Sequence, residues 1–167
     1  MSRLRRPFLS GRVFFVTCNL RRQRPFMDSS DFQALADALG AVRKRRKFLL
    51  TGYVFMPDHW HALVLPAADD TLPRLMNALK VASAQAYNRL HKTAGPLWQF
   101  RYYDHAVRTV KEYRDAIRYM HSNPVTKGLV QKPGEWPWSS LRSFGGRGPV
   151  RLAVDRLDLP AEETTPL

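Results

Sequence analysis

The chain has 167 residues and a single cysteine, Cys18, which excludes an intrachain disulfide and a cysteine-built zinc cage. Lys and Arg total 27 against 14 Asp and Glu, a formal net charge of +13 with an isoelectric point near 10.6, so polyanions, nucleic acid first, are the expected partners. No apolar run approaches the roughly 18 residues of a membrane span, and no signal-peptide core follows the basic start, so a reducing cytoplasm is the expected compartment.

In chain order, Arg12 to Asn19 is rich in Val, Phe and Thr and reads as a first strand, followed by a loop carrying Arg21, Arg22 and Arg24. Asp28-Ser29-Ser30-Asp31 offers helix N-caps, and Phe32, Leu35, Ala36, Leu39 and Val42 recur at helical spacing. That helix ends in Arg43-Lys44-Arg45-Arg46-Lys47, where cations suit the macrodipole, so the cluster reads both as a capping device and as a DNA grip. Phe48 to Phe55 and His59 to Leu65 read as strands two and three, joined by the turn Met56-Pro57-Asp58. A second helix, capped at Asp70 or Thr71, puts Leu72, Leu75, Met76, Leu79, Ala82, Ala86 and Leu90 on one face and Arg74, Lys80, Gln85 and Asn88 on the other. It stops at Gly95-Pro96. Leu97 to Val107 holds one or two short strands, and Thr109 with Glu112 opens a third helix that Asn123-Pro124 is expected to end. The order predicts an α+β domain over 1–150, a ferredoxin-like or RRM-like antiparallel sheet of about five strands with flanking helices. A tail over 151–167 follows, more acidic through Asp155, Asp158, Glu162 and Glu163.

Four positions carry chemistry. His59 and His61 alternate on one strand, so both point to one face and can share a metal ion, although such pairs also occur as half-buried polar residues. On the third helix, Val110, Tyr113, Ala116, Ile117 and Met120 form the apolar stripe, while Tyr119 lies well off it. Asn123 is one turn after Tyr119 on the same flank. A divalent ion on His59 and His61, with Asn123 as an oxygen ligand, suits Mg²⁺ or Mn²⁺ and can polarise a phosphate, and Tyr119 can attack it.

Met56-Pro57-Asp58-His59-Trp60-His61, Leu97-Trp98-Gln99 with Arg101-Tyr102-Tyr103-Asp104-His105, Tyr119-Met120-His121-Ser122-Asn123-Pro124-Val125 and Trp136-Pro137-Trp138-Ser139-Ser140 together resemble the IS200-like, single-tyrosine transposases of the HUH endonuclease superfamily. Within that family they resemble most the REP-associated tyrosine transposases of bacteria. The resemblance implies a five-stranded sheet, metal ligands His59, His61 and Asn123, and Tyr119 as nucleophile. It implies cutting of single-stranded DNA at or beside hairpins of repetitive extragenic palindromes, leaving a 5′-phosphotyrosine and a free 3′-OH. A monomer is expected, with a dimer as the alternative, and the protein is expected on the nucleoid when bound to DNA. Arg21, Arg22, Arg24, Arg43, Lys44, Arg45, Arg46, Lys47 and Lys80 are the candidate DNA contacts.

Other histidine-based phosphate enzymes fit less well: position 63, where a third alternating histidine would stand, is Leu63, and no pair of His-x-Thr segments exists. A second class is a binder that does not cut, stacking bases on Phe14, Phe15, Tyr53 and Phe55 of an RRM-like sheet. It gives no reason for a histidine pair opposite a tyrosine–asparagine helix.

Overall fold

A computed structural model describes residues 11–145 and 148–159 of the chain. The basic N-terminal residues, Gly146-Arg147 of the glycine-rich loop, and Glu162 and Glu163 of the tail lie outside them. Four strands, β1 (Val13–Asn19), β2 (Leu49–Met56), β3 (His59–Leu65) and β4 (Tyr103–Val107), form one antiparallel sheet in the order β2-β3-β1-β4. Three helices, α1 (Ser29–Arg46), α2 (Leu72–His91) and α3 (Val110–Thr126), pack on it. No helix among the described residues is long and apolar enough to cross a membrane.

Strand periodicity splits the apolar residues into two cores. On one face Val16, Cys18, Tyr53, Phe55, Trp60, Ala62 and Val64 meet α1 and α2 in the larger core. On the other face Val13, Val54, Met56 and Leu63 meet Tyr113 and Met120 of α3 in a smaller one. Trp60 thus turns away from its two histidine neighbours, is fully buried, and stacks edge-on with Trp98. Burial pushes the Cys18 thiol up to about 12, which leaves it an inert core residue.

Asp28 caps α1, accepting from the amides of Ser30 and Asp31, while Asp31 accepts from the Asp28 amide. All five residues expected on the α1 stripe are buried. In α2 the stripe turns in its second half. Ser83 and Tyr87 are buried, whereas Leu90 is half exposed. Trp98 covers this half and donates its indole N–H to Ser83 Oγ at 2.9 Å, so a serine fits there better than a larger alkyl group.

The β2–β3 turn has only two residues, and neither Pro57 nor Asp58 takes a positive φ. A tight hairpin usually needs one to match strand twist. Here the turn is tied from outside instead: Met27 N donates to Pro57 O and Leu20 N to Asp58 O, both at 2.8 Å.

Two features depart from expectation. The sheet has four strands among the described residues, and the outer edge of β2 is covered by isolated contacts. Phe55 N donates to Trp138 O, and Leu50 and Asp155 exchange hydrogen bonds. Pro137 lacks an N–H, which hinders a continuous fifth ladder. The start of the tail therefore lies on the sheet edge, with Leu152 in the larger core and Leu157 and Leu159 against the smaller one. Secondly, α3 does not end before Asn123-Pro124 but runs through Thr126 with Pro124 inside. Proline removes one donor to the preceding turn, yet Lys127 N still donates to Asn123 O at 2.9 Å and Leu129 N to Pro124 O at 2.9 Å. The last turn survives, and Gly128 at φ 72° ends it.

α3 seats on β2 over Gly52, where a Cβ would stand 2.7 Å from Ile117 Cδ1 and 2.8 Å from Met120 Cε. Both atoms are tips of flexible side chains, so Gly52→Ala should cost under about 1 kcal/mol. Gly52→Val, with two branches, should cost about 1–3 kcal/mol. Urea unfolding reads both values, and an unaffected Gly52→Val would mean that α3 does not rest there.

Candidate active site

β3 presents His59 and His61 toward the α3 face at the end where β2 turns into β3. Their Nε2 atoms converge to 3.1 Å. Two imidazoles bound cis to one ion, each nitrogen about 2.1 Å from it, would hold their nitrogens about 3.0–3.4 Å apart. The spacing therefore fits two ligands of one metal.

Each ring is held from behind. His59 Nδ1 donates to Asp58 Oδ1 at 2.6 Å, and because a carboxylate only accepts, that nitrogen carries the proton and Nε2 is a bare lone pair when the ring is neutral. His61 Nδ1 lies 2.7 Å from Thr17 Oγ1. Thr17 faces His61 across the β1–β3 ladder. A hydroxyl both donates and accepts, so Thr17 supports His61 with its proton on either nitrogen. Such backing of ligand histidines fixes ring orientation and raises basicity. Neither group stood out from the sequence: Asp58 read only as a turn residue and Thr17 as a strand former. The strand register is the signal that exposes Thr17.

Tyr119 stands over this pair. Its ring centroid is 5.4 Å from that of His61 and 6.0 Å from that of Phe15, both edge-on, and Phe15 itself stacks on His61 at 5.1 Å. At 56% exposure Tyr119 is open to a large substrate, while Tyr113 on the apolar stripe is buried. Asn123 differs from its expected setting. It keeps the flank of Tyr119, but it is buried at 4% exposure, and neither its Oδ1 nor its Nδ2 has a partner. A buried carboxamide without partners costs about 1–3 kcal/mol per group. Its neighbours one turn away on either side, Tyr119 and Lys127, both act on His61, the first by ring contact and the second by charge. No three His, Cys, Asp or Glu gather among the described residues. The Asn123 carboxamide has the neutral oxygen that could join two imidazoles around Mg²⁺ or Mn²⁺.

The basic residues divide. Arg21 and Arg22 follow β1 at the histidine end of the sheet and are exposed. Arg24 is tied down, donating to Ala94 O and Pro96 O and lying over the Tyr87 ring. Lys80 donates to Gln99 O and Phe100 O. The cluster from Arg43 to Lys47 ends α1 just before β2 begins, a strand's length, roughly 25 Å, from the histidines. Within it Arg43 pairs with Asp155 and donates to Ala153 O, and Arg46 pairs with Asp70. Lys47 is the left-handed C-cap, and Lys44 and Arg45 are exposed. The sheet aromatics are not an open stacking face: Tyr53 and Phe55 are fully buried, and Phe15 packs on His61.

His61 is pushed down to about 3, first by burial, then by His59 and Lys127 against the pull of Asp58, and burial alone takes His121 down to about 4. Both stay neutral when folded, whereas an unfolded histidine titrates near 6.5. The unfolded chain therefore binds the protons first. Stability is complete above about pH 6.5 and is lost as pH falls below it, until the folded values are reached. Between pH 7.5 and 5.5 the metal-free protein should lose about 1.4 kcal/mol for each of the two, about 3 kcal/mol in all. Urea unfolding in EDTA at both pH values measures this, and the double variant His61→Gln/His121→Gln should remove most of the difference.

The IS200-like transposase family model matches residues 10–123. The chain is 32% identical to a REP-associated tyrosine transposase of Escherichia coli K12 over 166 residues, 98% of each protein. It superposes with a TM-score of 0.73 on a solved structure of a REP-associated tyrosine transposase bound to a REP hairpin, at 31% identity and 98% coverage of both chains. With a histidine pair on the sheet, a tyrosine helix across it, and likeness along nearly its whole length, the chain belongs to the IS200-like transposase family.

Proposed function

We propose that the chain cuts and rejoins single-stranded DNA at or near REP-type hairpins through a covalent phosphotyrosine. One observation carries this: an exposed tyrosine rests on a histidine pair whose Nε2 atoms converge, beside a buried asparagine with no partner. The hairpin substrate is supported by the relative whose structure holds a REP hairpin.

In this reading Tyr119 Oη attacks phosphorus, the bond from phosphorus to the 3′ oxygen breaks, and a 5′-phosphotyrosine forms. The proton leaving the phenol balances the one gained by the departing 3′-OH. Phe15 and His61 hold the tyrosine ring from two sides, so its approach is set before the DNA arrives. Lys127, one turn beyond Asn123, adds positive charge near the phosphate. Asp58 and Thr17 keep the histidine lone pairs aimed together. A divalent ion, Mg²⁺ or Mn²⁺, held by His59, His61 and Asn123 supplies charge neutralisation and polarisation of the phosphate.

The test is a denaturing gel of the protein incubated with Mn²⁺ or Mg²⁺ and a single-stranded REP-type hairpin with its flanks. Wild type should give a covalent protein–DNA band that EDTA and Tyr119→Phe both abolish. Asp58→Asn and Thr17→Val should keep the band but require about 10–100-fold more metal. A band that persists in Tyr119→Phe, on Tyr102 or Tyr103 for instance, refutes the nucleophile. Tight hairpin binding with no band in any metal points to the binder that does not cut.

A further inference from the structure

The helix that carries Tyr119 is held from its opposite flank by one buried polar side chain. Residues two apart on a helix stand about 200° apart around its axis, so His121 points away from Tyr119, with the Met120 stripe between them. His121 is buried, and its Nε2 lies 2.9 Å from Ser140 Oγ. Ser140 is itself fully buried. Its hydroxyl accepts from Tyr53 N at 2.9 Å and donates to Tyr53 O at 3.2 Å. An amide N–H only donates, a carbonyl only accepts, and a hydroxyl has one proton, so all three bonds are made only when His121 Nε2 is a donor. The Phe144 ring meets the imidazole edge-on, with centroids 5.4 Å apart.

The backbone that receives this bond is tied down. Phe55 N donates to Trp138 O at 2.8 Å, Val54 bridges Ser139, and Trp136 donates its indole N–H to Phe55 O at 2.9 Å. With Ser140 on Tyr53, three successive residues of β2 hold the segment 136–140. Tyr113 also joins α3 to β2, donating its hydroxyl to Thr51 O at 3.3 Å, but it lies on the apolar stripe. A contact on the stripe sets how closely the helix rests and has little leverage against a roll about the helix axis. His121 projects about 100° from Met120 and has that leverage. On the other flank Tyr119 is half exposed and makes ring contacts with His61 and Phe15, which resist a roll weakly. A roll of about 10° moves an atom roughly 6 Å from the axis by about 1 Å, and a misplacement of that size can cost about 100-fold in rate.

We propose that His121 is a positioning residue of the active site: its bond to Ser140 fixes the roll of α3, and with it the placement of Tyr119 over His61 and of Asn123 on the same flank. A residue that only filled the core there could be an apolar ring of similar size. The imidazole adds an N–H matched to a hydroxyl that β2 already holds on two sides. The proposal rests on the nuclease reading for what the tyrosine does, and it adds what sets the aim of that tyrosine in the free protein.

The ring and the reaction can be followed separately. The full chain, carrying 3-fluorotyrosine at position 119, is observed by ¹⁹F NMR in EDTA without DNA. His121→Phe keeps a buried ring against Phe144 and removes the N–H, and His121→Gln restores a donor. Ser140→Ala removes the acceptor from the β2 side. Leu39→Val trims the larger core away from α3 and controls for lost stability. His121→Phe and Ser140→Ala should both shift the resonance toward its position in the urea-unfolded chain, while His121→Gln and Leu39→Val keep the folded value. In single-turnover reactions with Mn²⁺ and saturating REP-type hairpin, unlabelled His121→Phe should form the tyrosine adduct about 10–100-fold more slowly, with the hairpin Kd within about twofold and most of the rate recovered in His121→Gln. Melting temperatures measured alongside show which variants are folded at the assay temperature. A resonance that stays in place in the folded His121→Phe or Ser140→Ala variant, or that moves equally in Leu39→Val, overturns the positioning role, and so does a displaced ring with an unchanged rate. If wild type forms no adduct, the nuclease reading fails, and the fluorine shift still decides whether His121 sets the ring.

Discussion

The register of β3 between β1 and β2 is the constraint on which the site depends. Side chains alternate faces along a strand, so a slip of one residue would turn His59 and His61 into the larger core and Trp60 onto the active face. The apolar pattern forbids that slip. Trp60, Ala62 and Val64 belong with α1 and α2 in the larger core, where burying two imidazoles in their place would be costly. The same register sets Thr17 opposite His61 and therefore supplies a hydroxyl behind the ring. Hydrophobic sorting in the larger core thus aims the polar chemistry on the opposite side of the sheet.

The second half of the site comes from α3, and its position follows from two small features. Gly52 lets the helix approach β2 closely enough for Ile117 and Met120 to occupy the space of a side chain. Helical periodicity then places Tyr119, Asn123 and Lys127 one turn apart along a flank next to the Met120 stripe. Pro124 would disturb that alignment if it broke the helix. The hydrogen bonds from Lys127 and Leu129 to Asn123 and Pro124 carry the last turn past it. The asparagine consequently keeps helical geometry, and its carboxamide is presented by a rigid element.

Local signals in the sequence were enough for most of the elements and for nominating the candidate site residues. The N-cap at Asp28, the turn at Pro57-Asp58, the paired histidines and the off-stripe Tyr119 can each be read within a few residues. What escaped needed distant partners. The backing of His61 by Thr17 spans 44 positions, and Arg43 meets Asp155 far along the chain. Asn123 was expected to be free of the core because angular position on a helix says which residues share a flank, not what covers that flank. The basic residues were the least legible. A composition count treats Arg24, Arg43 and Arg46 like Arg21 and Arg22, yet the first three bind the fold to itself and the last two point outward.

That division changes what the net charge means. Part of the surplus is internal reinforcement: Arg24 ties the first loop to the end of α2, and Arg43 ties α1 to the tail that covers the β2 edge. Those cations are already neutralised by carboxylates or engaged by carbonyls, so they add little to local attraction for a phosphate. The remainder acts at long range, and the basic end of α1 stands about a strand's length from the histidines. It can attract an extended polyanion without touching the histidine end. At the histidine end burial keeps His61 neutral, and on α3 Asn123 is left without a partner. Asn123, buried with neither carboxamide atom paired, is a stability cost with no structural return. Its retention is intelligible under the proposed reaction, because a group left unpaired in the free protein is already oriented when a ligand binds.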